Sequence, residues 1–257
     1  MGKIYDKADT CQMITTANIQ GIMEISGKEG ATPLYTIIGP EDGRDPIRMF
    51  NIQASNQDDC NMNPNATISS HCSIELILKH LRIVGNRAPE ISTSLFKGGL
   101  INIGWIQSKA SNDGISNQYM VGPHLAATHV EFVGCTTVCA YEGGIMFLNS
   151  YATVDLNHTS FTGGQARGRG GAIVATNRAI VNVANTVFDS NSAKDGGGAV
   201  YLKEILLAYF NTYKHAFSWP AAKNGDKNKH ETLTPEATMN VFSGVIFKNN
   251  QQYLSIY

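Results

Sequence analysis

The sequence predicts an all-β solenoid of stacked coils, and three observations carry that prediction. Residues 143–169 (GGIMFLNSYATVDLNHTSFTGGQARGR) and 170–196 (GGAIVATNRAIVNVANTVFDSNSAKDG) repeat one pattern without a gap. Their equivalent residues stand 27 apart: Gly143 and Gly170, Val154 and Val181, Leu156 and Val183, Thr159 and Thr186, Phe161 and Phe188, Ala166 and Ala193. Glycine pairs punctuate the period, at Gly143–Gly144, Gly170–Gly171 and on schedule at Gly197–Gly198. A fixed period in this range, filled with alternating β-branched and aromatic residues, marks coils that bury their apolar faces only by stacking.

Taken in chain order, residues 1–73 read as irregular early coils. GIMEISG and PLYTIIGPEDGRDPIRMFNI supply strand-like runs, with Gly39-Pro40 as a turn. Residues 74–202 hold the regular coils. Each has a short alternating strand closed by a large apolar anchor, at Ile83, Phe132, Phe161 and Phe188, and a last anchor follows at Phe247. The short steps between anchors are single coils. The long steps before Phe132 and after Phe188 are coils with insertions, or two coils of which one is illegible. The Phe132, Phe161 and Phe188 column is expected to point inward.

A turn follows each anchor: residues 83–86 (IVGN), 188–191 (FDSN) and 247–250 (FKNN). Glycine and asparagine suit it because both tolerate the left-handed backbone region, and Asn191 and Asn250 can hydrogen-bond within their own turns. The glycine pairs, including Gly98–Gly99, open the next strand, where a Cβ is expected to meet the neighbouring coil about 4.8 Å away. Residues 107–123 are polar and read as a surface loop. Residues 203–236 read as a surface insertion, and 237–257 as a final partial coil. That coil ends without the next glycine-pair strand, so the chain reads as part of something longer, with strands that would be adhesive alone.

Composition narrows the function. Of 257 residues 16% are charged and the net charge is −1, which gives no polybasic footprint for nucleic acid. No apolar run reaches the roughly 18–20 residues of a membrane span. The N-terminal residues lack the apolar core of a signal peptide. There are five cysteines, and Cys60 and Cys72 bracket a polar loop that carries the sequon Asn65-Ala66-Thr67. A second sequon begins at Asn157. A cysteine-flanked loop with a glycosylation acceptor points to an extracellular setting, with a Cys60–Cys72 bridge restraining it.

The stretch GGAIVA…VNVANTVFDSNSAKDGGGAVYL, residues 170–202, resembles the polymorphic outer membrane protein repeat. Gly170-Gly171-Ala172-Ile173 and Gly197-Gly198-Ala199-Val200 match that family's GGA[I/V] strand, and Phe188-Asp189-Ser190-Asn191 its F-x-x-N turn. Phe247-Lys248-Asn249-Asn250 matches the turn alone. Phe161-Thr162-Gly163-Gly164 and Phe132-Val133-Gly134-Cys135 keep the Phe and lose the Asn. The earlier segments ELILKHLRIVGN and IIGP resemble the wider pectin-lyase-like group. The resemblance implies a right-handed parallel β-helix and a surface or secreted protein, often an adhesin.

Catalysis in that wider group needs acidic or basic clusters, and a glycosidase needs two carboxylates about 5–10 Å apart. Here Asp189 aligns with Thr162 and Val133, and Asp155 with Asn182, so no second carboxylate falls on a coil-equivalent position. Glu41, Asp42 and Asp45 read as a solvated turn, and Arg167, Arg169, Arg178 and Lys194 as turn residues. His80, His129 and His158 each stand three residues before an anchor, with Asn185 next in the series. They form either a polar ladder at a bend or, less simply, a shared metal site. Cys135 and Cys139 make a disulfide or a pair of thiols. The glycine pairs lack the lysine and serine of a phosphate loop.

The sequence therefore leads to a non-catalytic extracellular or cell-surface repeat region, acting as adhesin or spacer. Its expected partners are surface glycans or proteins of a host or neighbouring cell. No cofactor, no metal and no nucleic acid are expected. The alternative is a lyase or glycoside hydrolase acting on polysaccharide.

Overall fold

A computed structural model describes residues 10–12, 17–19, 21–30, 34–39, 48–54, 74–85, 96–105, 122–135, 138–149, 151–203, 213–214 and 237–252. Among these the fold is all-β, without helix. The early strands are β1 (Thr10–Gln12), β2 (Ala17–Ile19), β3 (Ile22–Ser26), β4 (Tyr35–Ile38) and β5 (Phe50–Ala54). Next come β6 (Glu75–Val84), β7 (Ile101–Trp105), β8 (His124–Val133) and β9 (Met146–Leu148). The first regular repeat holds β10 (Thr153–Asn157), β11 (Ser160–Thr162), β12 (Gln165–Ala166) and β13 (Ile173–Thr176). The second holds β14 (Ala179–Ala184), β15 (Val187–Asp189), β16 (Ser192–Ala193) and β17 (Val200–Lys203). Last are β18 (Tyr213–Lys214), β19 (Ala237–Val241), β20 (Ile246–Lys248) and β21 (Gln251–Gln252).

These strands make an eleven-stranded, a seven-stranded and a three-stranded sheet. In the largest, β3, β6, β8, β10, β14 and β19 follow one another in parallel. The C-terminal halves of β6 and β8 bend into a second row, which runs β1, β4, β6, β8, β11, β15 and β20. The seven-stranded sheet orders β2, β5, β7, β9, β13 and β17 in parallel, with β18 antiparallel at its edge. The three-stranded sheet is β12–β16–β21. Within each parallel row, successive strands thus come from successive segments of the described chain, and only the last three segments add a strand to the three-stranded sheet.

Register explains the repeat. Val154 is opposite Val181 and Leu125, and Phe161 opposite Phe188 and Phe132. The two long steps are single tiers, because Phe132 pairs directly with Ile83 and Phe247 with Phe188. Phe132, Phe161 and Phe188 are wholly buried, and the ring centroids from Phe132 to Phe247 lie 4.8, 5.0 and 4.7 Å apart. Each buried ring is worth about 1.5–3 kcal/mol in apolar transfer. Stacking at this distance adds about 0.5–1.5 kcal/mol per pair.

The two glycines of each pair answer different needs. Gly98, Gly143, Gly170 and Gly197 take φ between 61° and 70°, the left-handed region that glycine enters without strain. Their successors are crowded: a Cβ on Gly99 would overlap the carbonyl of Gly144, one on Gly144 that of Gly171, and one on Gly171 that of Gly198. The same approach lets Gly144 N–H donate to Gly170 O at 3.0 Å and Gly171 N–H to Gly197 O at 3.1 Å.

The F-x-x-N asparagine works differently from the sequence expectation. Asn191 does not bond within its own turn, and the left-handed residue there is Ser190, with φ 55°. The Asn191 amide instead reaches the tier before it. Its Oδ1 accepts from Gly164 N–H at 2.8 Å and its Nδ2 donates to Phe161 O at 3.0 Å. Asn250 repeats the arrangement one tier on, accepting from Asn191 N–H and donating to Phe188 O, both at 3.0 Å. The side chain is thus a staple between turns, because the turn's own polar groups face the next tier.

Cys135 and Cys139 are joined in a disulfide. Cys60, Cys72 and Asn65 lie outside the described residues, as do 107–121 of the expected loop and 204–212 and 215–236 of the expected insertion.

Candidate functional site

The tiers containing β6, β8 and β10 carry two sets of titratable side chains, and bend geometry places the first. Between the two rows of the large sheet one residue per tier adopts a left-handed φ: His80 at 52°, His129 at 54°, His158 at 51° and Asn185 at 47°. Histidine and asparagine enter that region more readily than most side chains. A left-handed residue turns the strand sharply and throws its side chain outward. With the tiers in register the imidazoles stack, with centroids 5.1 Å apart between His80 and His129 and 4.7 Å between His129 and His158. Interplanar angles are 10° and 22°.

A groove of about 450 Å³ runs over this stack and crosses the tiers from Leu34 to Asn185. Its polar wall includes Glu131, Thr159 and Ser160, and Leu34 stands at its edge. Thr159 is buried and its hydroxyl is 3.0 Å from that of Thr186, so it supports the wall rather than facing a ligand. Glu131 pairs at 3.5 Å with Arg82, and both are half-exposed. Nearly parallel rings aim their nitrogens side by side, so their lone pairs do not converge on one ion. Among the described residues no group of three or more His, Cys, Asp or Glu is arranged to hold a metal.

A second cluster lies on the same tiers, on the row ahead of the bend. His124 is buried between two carboxylates: Nδ1 is 2.8 Å from Glu75 Oε1 and Nε2 is 2.8 Å from Asp155 Oδ2. Glu75 is directly opposite His124, while Asp155 reaches it diagonally, since His124 faces Thr153. Burial pushes the imidazole pKa down. The hydrogen bonds to Asp155 and Glu75 and their negative charges outweigh burial, so it stands above the ordinary histidine value. Two carboxylate partners require two N–H donors, which only the imidazolium has. From Asp155 the polar line continues, with Asn182 donating to it at 2.7 Å and Asn240 donating to Asn182 at 2.7 Å.

Sequence reasoning did not single out His124 or Glu75. The signal was available only through the long step of the repeat, which sets Glu75 opposite His124. Asp155 aligns with Asn182, as read from the sequence, and the two are hydrogen-bonded. Asp189 is bound by Asn249 at 3.0 Å and by Lys248 at 3.1 Å, an exposed structural set. Of the arginines noted, Arg178 donates to Tyr151 Oη at 2.9 Å and Arg169 approaches buried Glu142 at 3.7 Å. Asn157, the sequon residue within the described chain, is exposed beside His158 and accepts from Asn185 Nδ2 at 3.2 Å. No helix among the described residues is long and apolar enough to cross a membrane. No protein-family model, curated protein or solved structure matches this chain.

Proposed function

We propose that the chain is a right-handed parallel β-helix serving as a non-catalytic repeat region of a surface or secreted protein, an adhesin or a spacer. Parallel rows visited in constant order need crossover connections of one hand, and right-handed crossovers prevail for parallel strands. The resemblance of residues 170–202 to polymorphic outer membrane protein repeats supports the surface setting, as do the sequons at Asn65 and Asn157.

The observation that carries the non-catalytic reading is the saturation of the His124 cluster. Both ring nitrogens are engaged by carboxylates, and Asp155 is further bound by Asn182. A general acid or base needs a free position within hydrogen-bond reach of substrate. This cluster offers its protons to its own neighbours and ties three tiers together. The competing reading is a polysaccharide lyase or hydrolase. Incubating the purified protein with polyuronates and neutral polysaccharides decides between them. No turnover is expected, whereas turnover abolished by Asp155→Asn or Arg169→Ala would overturn the proposal. Retention of the protein on cell surfaces separates adhesin from spacer.

A further inference from the structure

Asn157, His158 and Thr159 form an acceptor sequon for an N-linked sugar, and the fold treats its two ends differently. In a strand, residues two apart share a face. His158 interrupts the strand with a φ of 51°, so Asn157 faces solvent while Thr159 is buried. The same three positions recur at the other bends, as Lys79-His80-Leu81, Thr128-His129-Val130 and Ala184-Asn185-Thr186. The third residue is buried in all four triplets, and of the four only Asn157-His158-Thr159 carries the sequon.

On the outer face Asn157 has short neighbours, Thr128 on one side and Ala184 on the other. Its Oδ1 accepts from Asn185 Nδ2 at 3.2 Å, which commits the oxygen and not the nitrogen that takes the sugar. A glycan there has an exit to solvent and displaces no core contact. The other end of the sequon is locked by the following tier. The Thr159 hydroxyl is 3.0 Å from that of Thr186, and Val187 N–H donates to Thr159 O at 3.0 Å. His158 N–H donates to Ala184 O at 3.2 Å. The sequon is read as a pair, the acceptor amide and the hydroxyl two residues on. Once β14 and β15 are in place, an enzyme reaches the first and not the second.

We propose that Asn157 is an acceptor of N-linked glycan only until the tier of β14 and β15 closes over Thr159. In the transfer Nδ2 bonds to C1 of the sugar and the C1–O bond to a lipid-linked diphosphate breaks. The diphosphate leaves with the electron pair, and the amide proton passes to a base of the transferase. Thr186 follows Thr159 by 27 residues. On a growing chain, at about 5–20 residues per second, that spacing leaves a window of roughly 1–5 s. The inference rests on the secreted reading above, because the donor and its enzyme belong to the secretory route.

The test uses the full chain with Asn65→Gln, which leaves one sequon. Fused to a cleavable leader and made in a eukaryotic secretory host, it should carry sugar at Asn157 by peptide mass spectrometry. It should melt within about 2 °C of the bare chain, and an endoglycosidase should trim it without unfolding. The bare chain, made in a bacterial host, is then given a purified oligosaccharyltransferase and its lipid-linked donor. The comparator is the same chain with Phe161→Asp and Phe188→Asp, whose charges in the core column prevent stacking. The folded chain should be labelled about a hundredfold more slowly than the comparator, since three hydrogen bonds must open first. A bare Asn157 in the secreted chain, or an unlabelled comparator, would overturn the acceptor assignment. Equal labelling of the folded chain and the comparator would overturn the order of events, and a sugar that stops the chain folding would overturn the exit to solvent. If the native protein is bare where the host-made chain is modified, the site stands and the secreted reading falls.

Discussion

Replacing Asn191 by alanine tests whether the F-x-x-N asparagine is a staple between tiers. Asn191 is fully buried, and its amide satisfies Gly164 N–H and Phe161 C=O of the preceding tier. Alanine removes both partners and leaves a buried donor and a buried acceptor unmatched. Each orphan costs about 1–3 kcal/mol, so the variant should lose about 2–5 kcal/mol. For a chain of this size each kcal/mol lowers the melting temperature by about 2–4 °C, giving a fall on the order of 5–15 °C. The matched control is Asn240→Ala, which removes an exposed amide bond to Asn182 and should cost under about 1 kcal/mol. Thermal melts followed by circular dichroism supply the first reading, and hydrogen exchange at the Gly164 amide the second. That amide should lose its protection in Asn191→Ala while amides of the β6–β8 pairing keep theirs. A melt within about 2 °C of the parent, with Gly164 still protected, would refute the staple.

Phe161→Ala should cost about 3–5 kcal/mol, measured by denaturant melts, because it opens a hole between two stacked rings, and Phe161→Leu should cost markedly less. Gly171→Ala should fail for packing, since its Cβ overlaps the carbonyl of Gly198, whereas Gly170→Ala carries left-handed strain as well, at φ 62°; both should show lower midpoints than Ala199→Gly. The folded-state pKa of His124 lies above its unfolded value, so its clamp contributes fully below about 6.5, the unfolded pKa. That contribution disappears as pH rises through the folded pKa, so stability measured by urea melts should fall with rising pH above neutrality. His124→Gln should flatten this slope, and an unchanged slope would remove the imidazolium assignment. Cys139→Ala should expose the Cys135 amide to exchange, since that N–H donates to Cys139 Sγ at 2.7 Å.

What the sequence makes legible is what repeats at the short period. The phenylalanine column and the glycine pairs recur because the same side chain meets the same neighbour in each tier. The His80, His129 and His158 series is visible for that reason, although the sequence does not distinguish a ladder from a ligand set. Contacts that cross the long steps are hidden. Glu75 meets His124 only once Ile83 is known to pair with Phe132, and the diagonal reach to Asp155 breaks equivalence by two residues.

The departures from the motif are linked in the same way. Position 164 carries glycine where the motif has asparagine, and a side chain there would press on Gly171 O, Ile145 and the Asn191 amide. A glycine cannot staple the tier before it, which leaves the equivalent amide, Cys135 N–H, without an asparagine partner. That amide is buried with Cys135 and bonds to Cys139 Sγ instead. The loss of one motif residue and the presence of the cysteine pair one tier earlier are therefore one structural event. Aligned as separate repeats, Phe132-x-x-Cys135 and Phe161-x-x-Gly164 read as two failures of the pattern. Stacked, they show that the unit of the pattern is the contact between tiers, and that a turn needs an acceptor for its fourth amide more than it needs an asparagine in the next.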